Sequence, residues 1–289
     1  MAEPNNLTDP IAAQGGVRAL LQLGQAQLAP NSDSARLDAE LLLAHCLGVT
    51  RGYLFAHADE LVQPANRACY VALLQRRADG EPLAYLTGWR EFWSLELQVS
   101  AAVLVPRPET ELAVECALAL LADVPADVAD LGTGSGAIAL ALASERRAWR
   151  IVATDHSADA LAVARRNAER LNLRGIAWLQ GDWLAPLGSR RFDLIVSNPP
   201  YIAQADPALP ALRHEPAAAL VSGASGLNAL QHLITQAHAY LHRGGVLLLE
   251  HGATQAAAVA GQLVAAGYAR VRCHQDLAGR DRVTEAQWP

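Results

Sequence analysis

Lysine is absent from this chain of 289 residues, so all 23 basic residues are arginine. Beside the abundant alanine, that bias reflects genome composition rather than mechanism. Positive charge is also in the minority: 29 acidic residues give a formal net charge of −6. This speaks against a protein whose main business is gripping phosphate backbones, where affinity comes from neutralising phosphates. A local basic patch stays compatible with it. Cysteine is scarce and scattered, at Cys46, Cys69, Cys116 and Cys273, with no Cys-x-x-Cys pair. Neither a zinc site nor a disulfide framework is expected, and the four read as buried thiols in a reducing compartment. Long apolar runs are missing as well. Hydrophobic residues make up 52% of the chain, enough for a sizeable core, but charges break each run short of a membrane span. Met1 to Asn6 shows no positive region leading into an apolar stretch, so no secretory signal is read. The expectation is a cytoplasmic protein that holds no metal and touches no membrane.

What is present falls into two styles. From about Leu7 to Tyr85 the apolar residues recur at helical spacing, and no strand signal is visible. Asn31-Ser32-Asp33-Ser34 supplies cap-type residues ahead of Leu37, Leu41, Leu42 and Ala44, and Gly48 stops that helix. Ala65 to Ala78 repeats the pattern with Val71, Leu74 and Ala78 on one face, closed by Asp79-Gly80. A small helical bundle over residues 1–86 is expected. Phe92 to Val99 then alternates with period two, and Ala102 to Val105 follows. This predicts a β-hairpin over 87–105 that joins two domains. Pro106-Arg107-Pro108 stops the strand, and Glu109-Thr110-Glu111 opens a helix with acids at its positive end.

Over 106–289 strands and helices alternate. Strands are predicted at Asp127–Leu131, Arg150–Thr154, Ile176–Gln180, Phe192–Val196, Gly245–Glu250, Tyr268–His274 and Arg282–Gln287. Helices fit Ile138–Ser144, Ala158–Leu171, Leu227–His242 and Thr254–Ala266. Such alternation gives an α/β fold with a mostly parallel, doubly wound sheet, which binds ligands beyond the carboxyl ends of its strands.

Two motifs fall at those ends. The first is Asp130-Leu131-Gly132-Thr133-Gly134-Ser135-Gly136. Glycine lets a backbone turn tightly and lets a ligand approach it closely. Nicotinamide and flavin enzymes use similar loops, so the loop alone is a weak signal. Asp155 closes the next strand, where it can accept hydrogen bonds from ribose hydroxyls. Gly181-Asp182-Trp183 follows the third strand, where Asp182 can recognise an adenine edge and Trp183 can cover its face. Together these resemble the S-adenosylmethionine site of Rossmann-like methyltransferases.

The second motif is Ser197-Asn198-Pro199-Pro200-Tyr201. It suits methyl transfer to an amide or aryl amine, whose delocalised lone pair attacks poorly. The Asn198 side-chain oxygen and the Pro199 carbonyl can accept its two N–H groups. That aims the lone pair and stabilises the positive charge that develops. Pro199 and Pro200 fix the backbone, and Tyr201 can pack over the planar target. Most of the remaining catalysis is alignment.

From about Tyr85 onward the chain resembles one family, the glutamine-N5 methyltransferases of peptide chain release factors (HemK/PrmC). The resemblance rests on Gly88 to Trp93, Pro106-Arg107-Pro108-Glu109-Thr110-Glu111, the glycine loop, Ser197 to Ile202, and Leu247-Leu248-Leu249-Glu250-His251-Gly252. The Pro-Arg-Pro-Glu-Thr-Glu segment discriminates best, because Asn-Pro-Pro-Tyr also occurs in other amino-methyltransferases. The resemblance implies a Rossmann-like seven-stranded methyltransferase domain. It implies S-adenosylmethionine at Gly132, Thr133, Gly134, Ser135, Gly136, Asp155, Trp183 and Asn198. It implies Asn198, Pro199 and Tyr201 as catalytic, and a substrate glutamine against Asn198, Pro199, Pro200, Tyr201 and Leu104. That glutamine would belong to the Gly-Gly-Gln loop of class-1 release factors, with the helical bundle recognising the factor. Where the family often has an aromatic residue, this chain reads Arg213-His214-Glu215-Pro216. His214 there reads as a solvated loop residue, and His251 as structural.

The competing reading is adenine-N6 methylation of DNA or RNA, which uses the same chemistry on a flipped base. The acidic net charge and the lack of a basic, aromatic-studded domain oppose it. A non-catalytic scaffold would predict damaged motifs, and both are intact.

Overall fold

The computed structural model describes residues 15–289. The expected helical pattern between Leu7 and residue 14 lies outside them. The chain forms two compact units, one ending at Gly88 and one running from Trp89 to Pro289.

The described part of the first unit contains α1 (Val17–Leu28), α2 (Ala35–Leu47), α3 (Arg51–Ala56), α4 (Pro64–Ala78) and α5 (Leu83–Thr87). The cap-type residues do precede α2, but they work through a side chain. The hydroxyls of Ser32 and Ser34 donate to the Asp38 carboxylate, each at 2.9 Å. Arg77 Nε reaches the same group at 2.8 Å. Gly48 ends α2 in the left-handed region at φ 66°. On α4 the inward face is carried by Tyr70, Leu73 and Leu74, not by the expected Val71, which is exposed. Tyr70 sets that face: its ring is fully buried and its hydroxyl donates to the Leu20 carbonyl at 3.2 Å.

The thiols also depart from expectation. Only Cys116 is buried; Cys69 is exposed and Cys46 and Cys273 lie between. Cys46 on α2 and Cys69 on α4 stand side by side, their sulfurs 2.7 Å apart. Their separation in sequence hides this, because two helices must pack before they meet.

The second unit opens with a hairpin of β1 (Trp89–Phe92) and β2 (Leu95–Gln98), paired Phe92 to Leu95. The chain therefore reverses at Trp93-Ser94, inside the run expected to be one strand. Both residues have positive φ, 53° and 57°, the geometry of a two-residue hairpin turn. The carboxylate of Glu111 accepts from Trp93 N at 2.9 Å and that of Glu91 from Ser94 N at 2.6 Å. Ala102 to Val105 is not a strand. The hairpin, read from sequence as a joining segment, buries Phe92 and Leu97 in the core of this unit.

After a 3-10 turn at Pro108–Thr110 come α6 (Glu111–Leu120), β3 (Asp127–Leu131), α7 (Ala137–Glu145), β4 (Arg150–Asp155), α8 (Ala158–Arg170), β5 (Ile176–Gln180) and β6 (Phe192–Ser197). Then follow α9 (Asn228–Gln236), β7 (Leu241–Glu250), α10 (Ala256–Ala265), β8 (Ala269–Gln275) and β9 (Asp281–Gln287). The expected helix to His242 stops earlier, because a 3-10 turn at Ala237–Tyr240 delivers the chain into β7. The seven-stranded sheet has the order β5-β4-β3-β6-β7-β9-β8. β9 runs antiparallel between β7 and β8; the other pairings are parallel. Alternate residues feed two cores. Val128, Val196 and Leu248 join α6 and α7 in one, and Leu131, Ile195 and Leu249 join α9 and α10 in the other. The order reverses between β3 and β6, where Leu131 pairs with Ser197. A crevice opens at such a reversal. No helix among the described residues is long and apolar enough to cross a membrane.

Candidate active site

The sheet reversal brings both sequence motifs to one cavity. Its wall includes Leu104, Gly132, Thr133, Gly134, Ser135, Asp155, Asp182, Trp183, Asn198 and Pro200. Ser197 Oγ donates to the Leu131 carbonyl at 2.7 Å, tying the strand ends that carry the two motifs.

The glycine loop is held from below. Thr133 Oγ1 donates to Asp130 Oδ2 at 2.6 Å, and Ala139 N donates to the same oxygen at 3.1 Å. Burial pushes the Asp130 carboxyl up to about 7, against the lowering effect of those two bonds. Asp155 holds the loop from the side: its carboxylate accepts from Gly134 N and from Ser157 N, each at 2.9 Å. It therefore braces the loop and the start of α8 together, with lone pairs left for a ligand. Asn167 on α8 spans further. Its amide donates to the carbonyls of Gln98 and Ser135, each at 3.0 Å, and accepts from Gln98 N at 2.7 Å.

Two glycines show what the loop is shaped for. Gly134 has φ 57°, and a side-chain carbon there would meet nothing within 4 Å. Its backbone thus faces open cavity, the approach a ligand needs. At Gly132 a side chain would strike the Trp183 ring at 2.9 Å. Trp183 rests on the loop while also packing on the second core, and Thr154 Oγ1 donates to its carbonyl at 2.9 Å.

Three sequence-derived candidates lie outside the cavity wall. Gly136, at φ 85°, turns into α7 and faces Leu140 and Ala164. The Pro199 side chain is buried. Tyr201 does not lie over the site as expected; its ring packs against the second core and its hydroxyl points to Glu250 Oε1 at 3.5 Å. Burial lifts the Tyr201 hydroxyl to about 12, so it stays a donor.

Comparison with known proteins gives the family. The PrmC N-terminal domain family matches residues 19–88, and the methyltransferase small domain family matches residues 111–257. The release factor glutamine methyltransferase of Xylella fastidiosa (strain 9a5c) is 51% identical over 257 residues, covering 88% of this chain and 94% of that protein. The release factor glutamine methyltransferase of Escherichia coli (strain K12) is 48% identical over 255 residues, 88% and 92% of the two chains. This chain belongs to the release factor glutamine methyltransferase family. In fold it also resembles a solved methyltransferase from Pyrococcus furiosus, with a TM-score of 0.51 at 20% identity over 67% of this chain and 88% of that one.

Several residues shape the site through partners that only the fold brings together. Glu215 is buried and accepts from Val105 N at 3.1 Å and from the Arg107 guanidinium, so it clamps the loop after the transfer motif to the Pro-Arg-Pro turn. His214, half-buried beside it, does not line the cavity. Thr110 accepts from Asn198 Nδ2 at 3.0 Å. Glu250 closes β7 and is buried, with its Oε1 3.5 Å from the Tyr201 hydroxyl. Its neighbour His251 is buried between strands: Nε2 meets Thr284 Oγ1 at 2.8 Å and Nδ1 the Gly252 carbonyl at 3.0 Å. Burial holds that imidazole below its usual range, so it is a neutral structural group.

Proposed function

We propose that this enzyme transfers a methyl group from S-adenosylmethionine to the side-chain amide N5 of the glutamine in the Gly-Gly-Gln motif of class-1 peptide chain release factors, leaving S-adenosylhomocysteine. The observation that carries the reading is the single cavity in which the glycine loop and Asn198-Pro199-Pro200 meet. The relatives' names supply the substrate class.

The residues present fit the cofactor. Gly134 offers bare backbone to the cavity, the carboxylates of Asp155 and Asp182 offer acceptors for hydroxyl and amino groups, and Ile138, Ala160 and Trp183 form an apolar wall. Gly132, Thr133, Ser135 and Asn198 complete its surroundings; Gly136 shapes the loop from beneath. When bound, S-adenosylmethionine supplies an electrophilic methyl group on a positively charged sulfur. Asn198 Oδ1 and the Pro199 carbonyl hold the two N–H groups of the target amide, which orients its lone pair and stabilises charge arising on the nitrogen. Leu104 and Pro200 enclose the glutamine side chain. Tyr201 contributes from behind, through Glu250. The proton leaves the nitrogen after transfer, so no strong base is needed.

The helical unit up to Gly88 serves recognition of the release factor, and the reaction belongs to translation termination in the cytoplasm. Nucleic acid is not a direct ligand in this reading, in keeping with the net charge of −6. The test is mass spectrometry of a release factor incubated with the enzyme and S-adenosylmethionine. One added methyl group on the Gly-Gly-Gln peptide is the expected result. Transfer to nucleic acid instead would overturn it in favour of adenine methylation.

A further inference from the structure

Helix packing in the first unit makes neighbours of two cysteines that the sequence keeps apart. Cys46 lies in the last turn of α2 and Cys69 in the second turn of α4. Leu42 and Leu43 of α2 and Tyr70 and Leu74 of α4 belong to one buried core, which fixes the two helices against each other. The sulfurs of Cys46 and Cys69 stand 2.7 Å apart. An S–S bond is about 2.05 Å long, so a small side-chain movement joins them.

The pair is also asymmetric. Cys69 is exposed, whereas Cys46 is half-buried against the core. An oxidant arriving from solvent therefore meets Cys69 first. Burial, and after it the Cys69 sulfur, hold the Cys46 thiol well above its usual range. Cys46 thus waits as a protonated thiol beside the sulfur that reacts. A metal does not account for the pairing: among the described residues, no group of three or more histidine, cysteine or acidic side chains stands together to hold one, and a structural zinc needs four ligands.

We propose that Cys46 and Cys69 form an oxidisable dithiol site that a peroxide converts into a disulfide fastening α2 to α4. In the first step the Cys69 sulfur attacks one oxygen of hydrogen peroxide and the O–O bond breaks. Cys69 becomes a sulfenic acid, and its proton leaves with the other oxygen as water. In the second step the Cys46 sulfur attacks the Cys69 sulfur. The S–S bond forms, the S–O bond breaks, and the departing hydroxide takes the Cys46 proton as a second water. Two thiols are oxidised by two electrons in all, and one peroxide is reduced by the same two. The bond closes a loop around α3, which carries the exposed Phe55. In a reducing compartment the site rests as the dithiol, and a disulfide with one exposed sulfur is the kind that reductants reopen.

The experiment treats the full-length protein, freed of reductant, with hydrogen peroxide and maps its tryptic peptides by mass spectrometry. Trypsin cuts only after arginine in this chain, and Arg51 and Arg67 place the two cysteines in separate peptides, residues 37–51 and 68–76. The expected product is these two peptides joined, lighter by two hydrogens than their sum, and separated again by dithiothreitol. Cys46→Ser should leave a sulfenic acid on Cys69 that dimedone traps, and Cys69→Ser should leave Cys46 a free thiol. The urea midpoint of the cross-linked wild type should rise above that of the reduced protein, because a closed loop restricts the unfolded chain most. A wild-type map with Cys69 oxidised but no joined peptide would overturn the proposal. So would pairing of Cys46 and Cys69 no more frequent than pairing with Cys116 or Cys273, or joined peptides that come from two different chains. A midpoint that stays level or falls would overturn the fastening of α2 to α4.

Discussion

Asp155 and Asn198 both line the cavity and should fail differently when cut back. Asp155 accepts two backbone N–H bonds from the loop and from α8, and it faces the ligand's side of the wall. Hydrogen bonds to a charged group are worth about 1.5–3 kcal/mol each. Asp155→Ala should therefore weaken S-adenosylmethionine binding on the order of tenfold to a hundredfold, read by calorimetry, with a smaller effect on saturated turnover. Asn198→Ala should do the reverse: a loss on the order of a hundredfold in kcat, measured by single-turnover methylation of a release factor. Near-normal turnover in that variant would remove the account of the paired N–H bonds. Both residues were legible in the sequence because their neighbours are local: a glycine loop before one and two prolines after the other. Glu215 was not, since its partners Val105 and Arg107 lie about a hundred residues earlier. Tyr201 was half legible. Its place beside the transfer motif was plain, but a tetrapeptide does not reveal which way a ring points.

At the scale of elements, strands and helices were read well wherever their ends carried their own signals, as at Gly48 or in the apolar runs of β3 and β6. The hairpin shows the limit. Trp93-Ser94 lacks the Asn-Gly signature of such a turn, and it is stabilised by Glu111 and by Glu145, which accepts from Trp93 Nε1 at 2.9 Å. Only the folded unit brings those carboxylates near. Asn167 is the matching internal brace. Asn167→Ala would leave the N–H and C=O of Gln98 and the C=O of Ser135 without their partner. At roughly 1–3 kcal/mol for each group that stays unsatisfied, a loss of about 3 kcal/mol in stability is expected by urea unfolding, together with weaker binding of S-adenosylhomocysteine. In the first unit, Gly24 tests packing against propensity. Alanine gains about 1 kcal/mol over glycine inside a helix. Here its methyl would run into the Tyr70 hydroxyl and lie 2.9 Å from Ala39 Cβ. Overpacking costs about 1–3 kcal/mol, and the Tyr70 bond to Leu20 would be displaced too. Gly24→Ala should therefore lower the denaturation midpoint; a rise would show that α1 is less tightly engaged.

For the molecule as a whole, the division at Gly88 separates a helical unit with its own core from a second unit that contains the complete cavity. Removing residues up to Gly88 should cut release-factor methylation far more than S-adenosylmethionine affinity, the first followed by mass spectrometry and the second by calorimetry. Equal losses would make the helical unit a support rather than a reader of the partner. Two styles of sequence announced this division, yet they did not show that the hairpin buries itself in the second unit, because that depends on contacts such as Asn167 with Gln98. The placement of β9 has a consequence for the order in which the enzyme is made. β8 has no neighbour in the sheet other than β9, which is synthesised after it. Until β9 emerges, β8 is an unpaired edge, the kind of exposed strand that invites wrong pairing in a nascent chain. Arg282 and Thr284, which face Glu250 and His251, arrive with the same strand. Cofactor loop and transfer motif can thus be in place long before the buried groups behind them are complete.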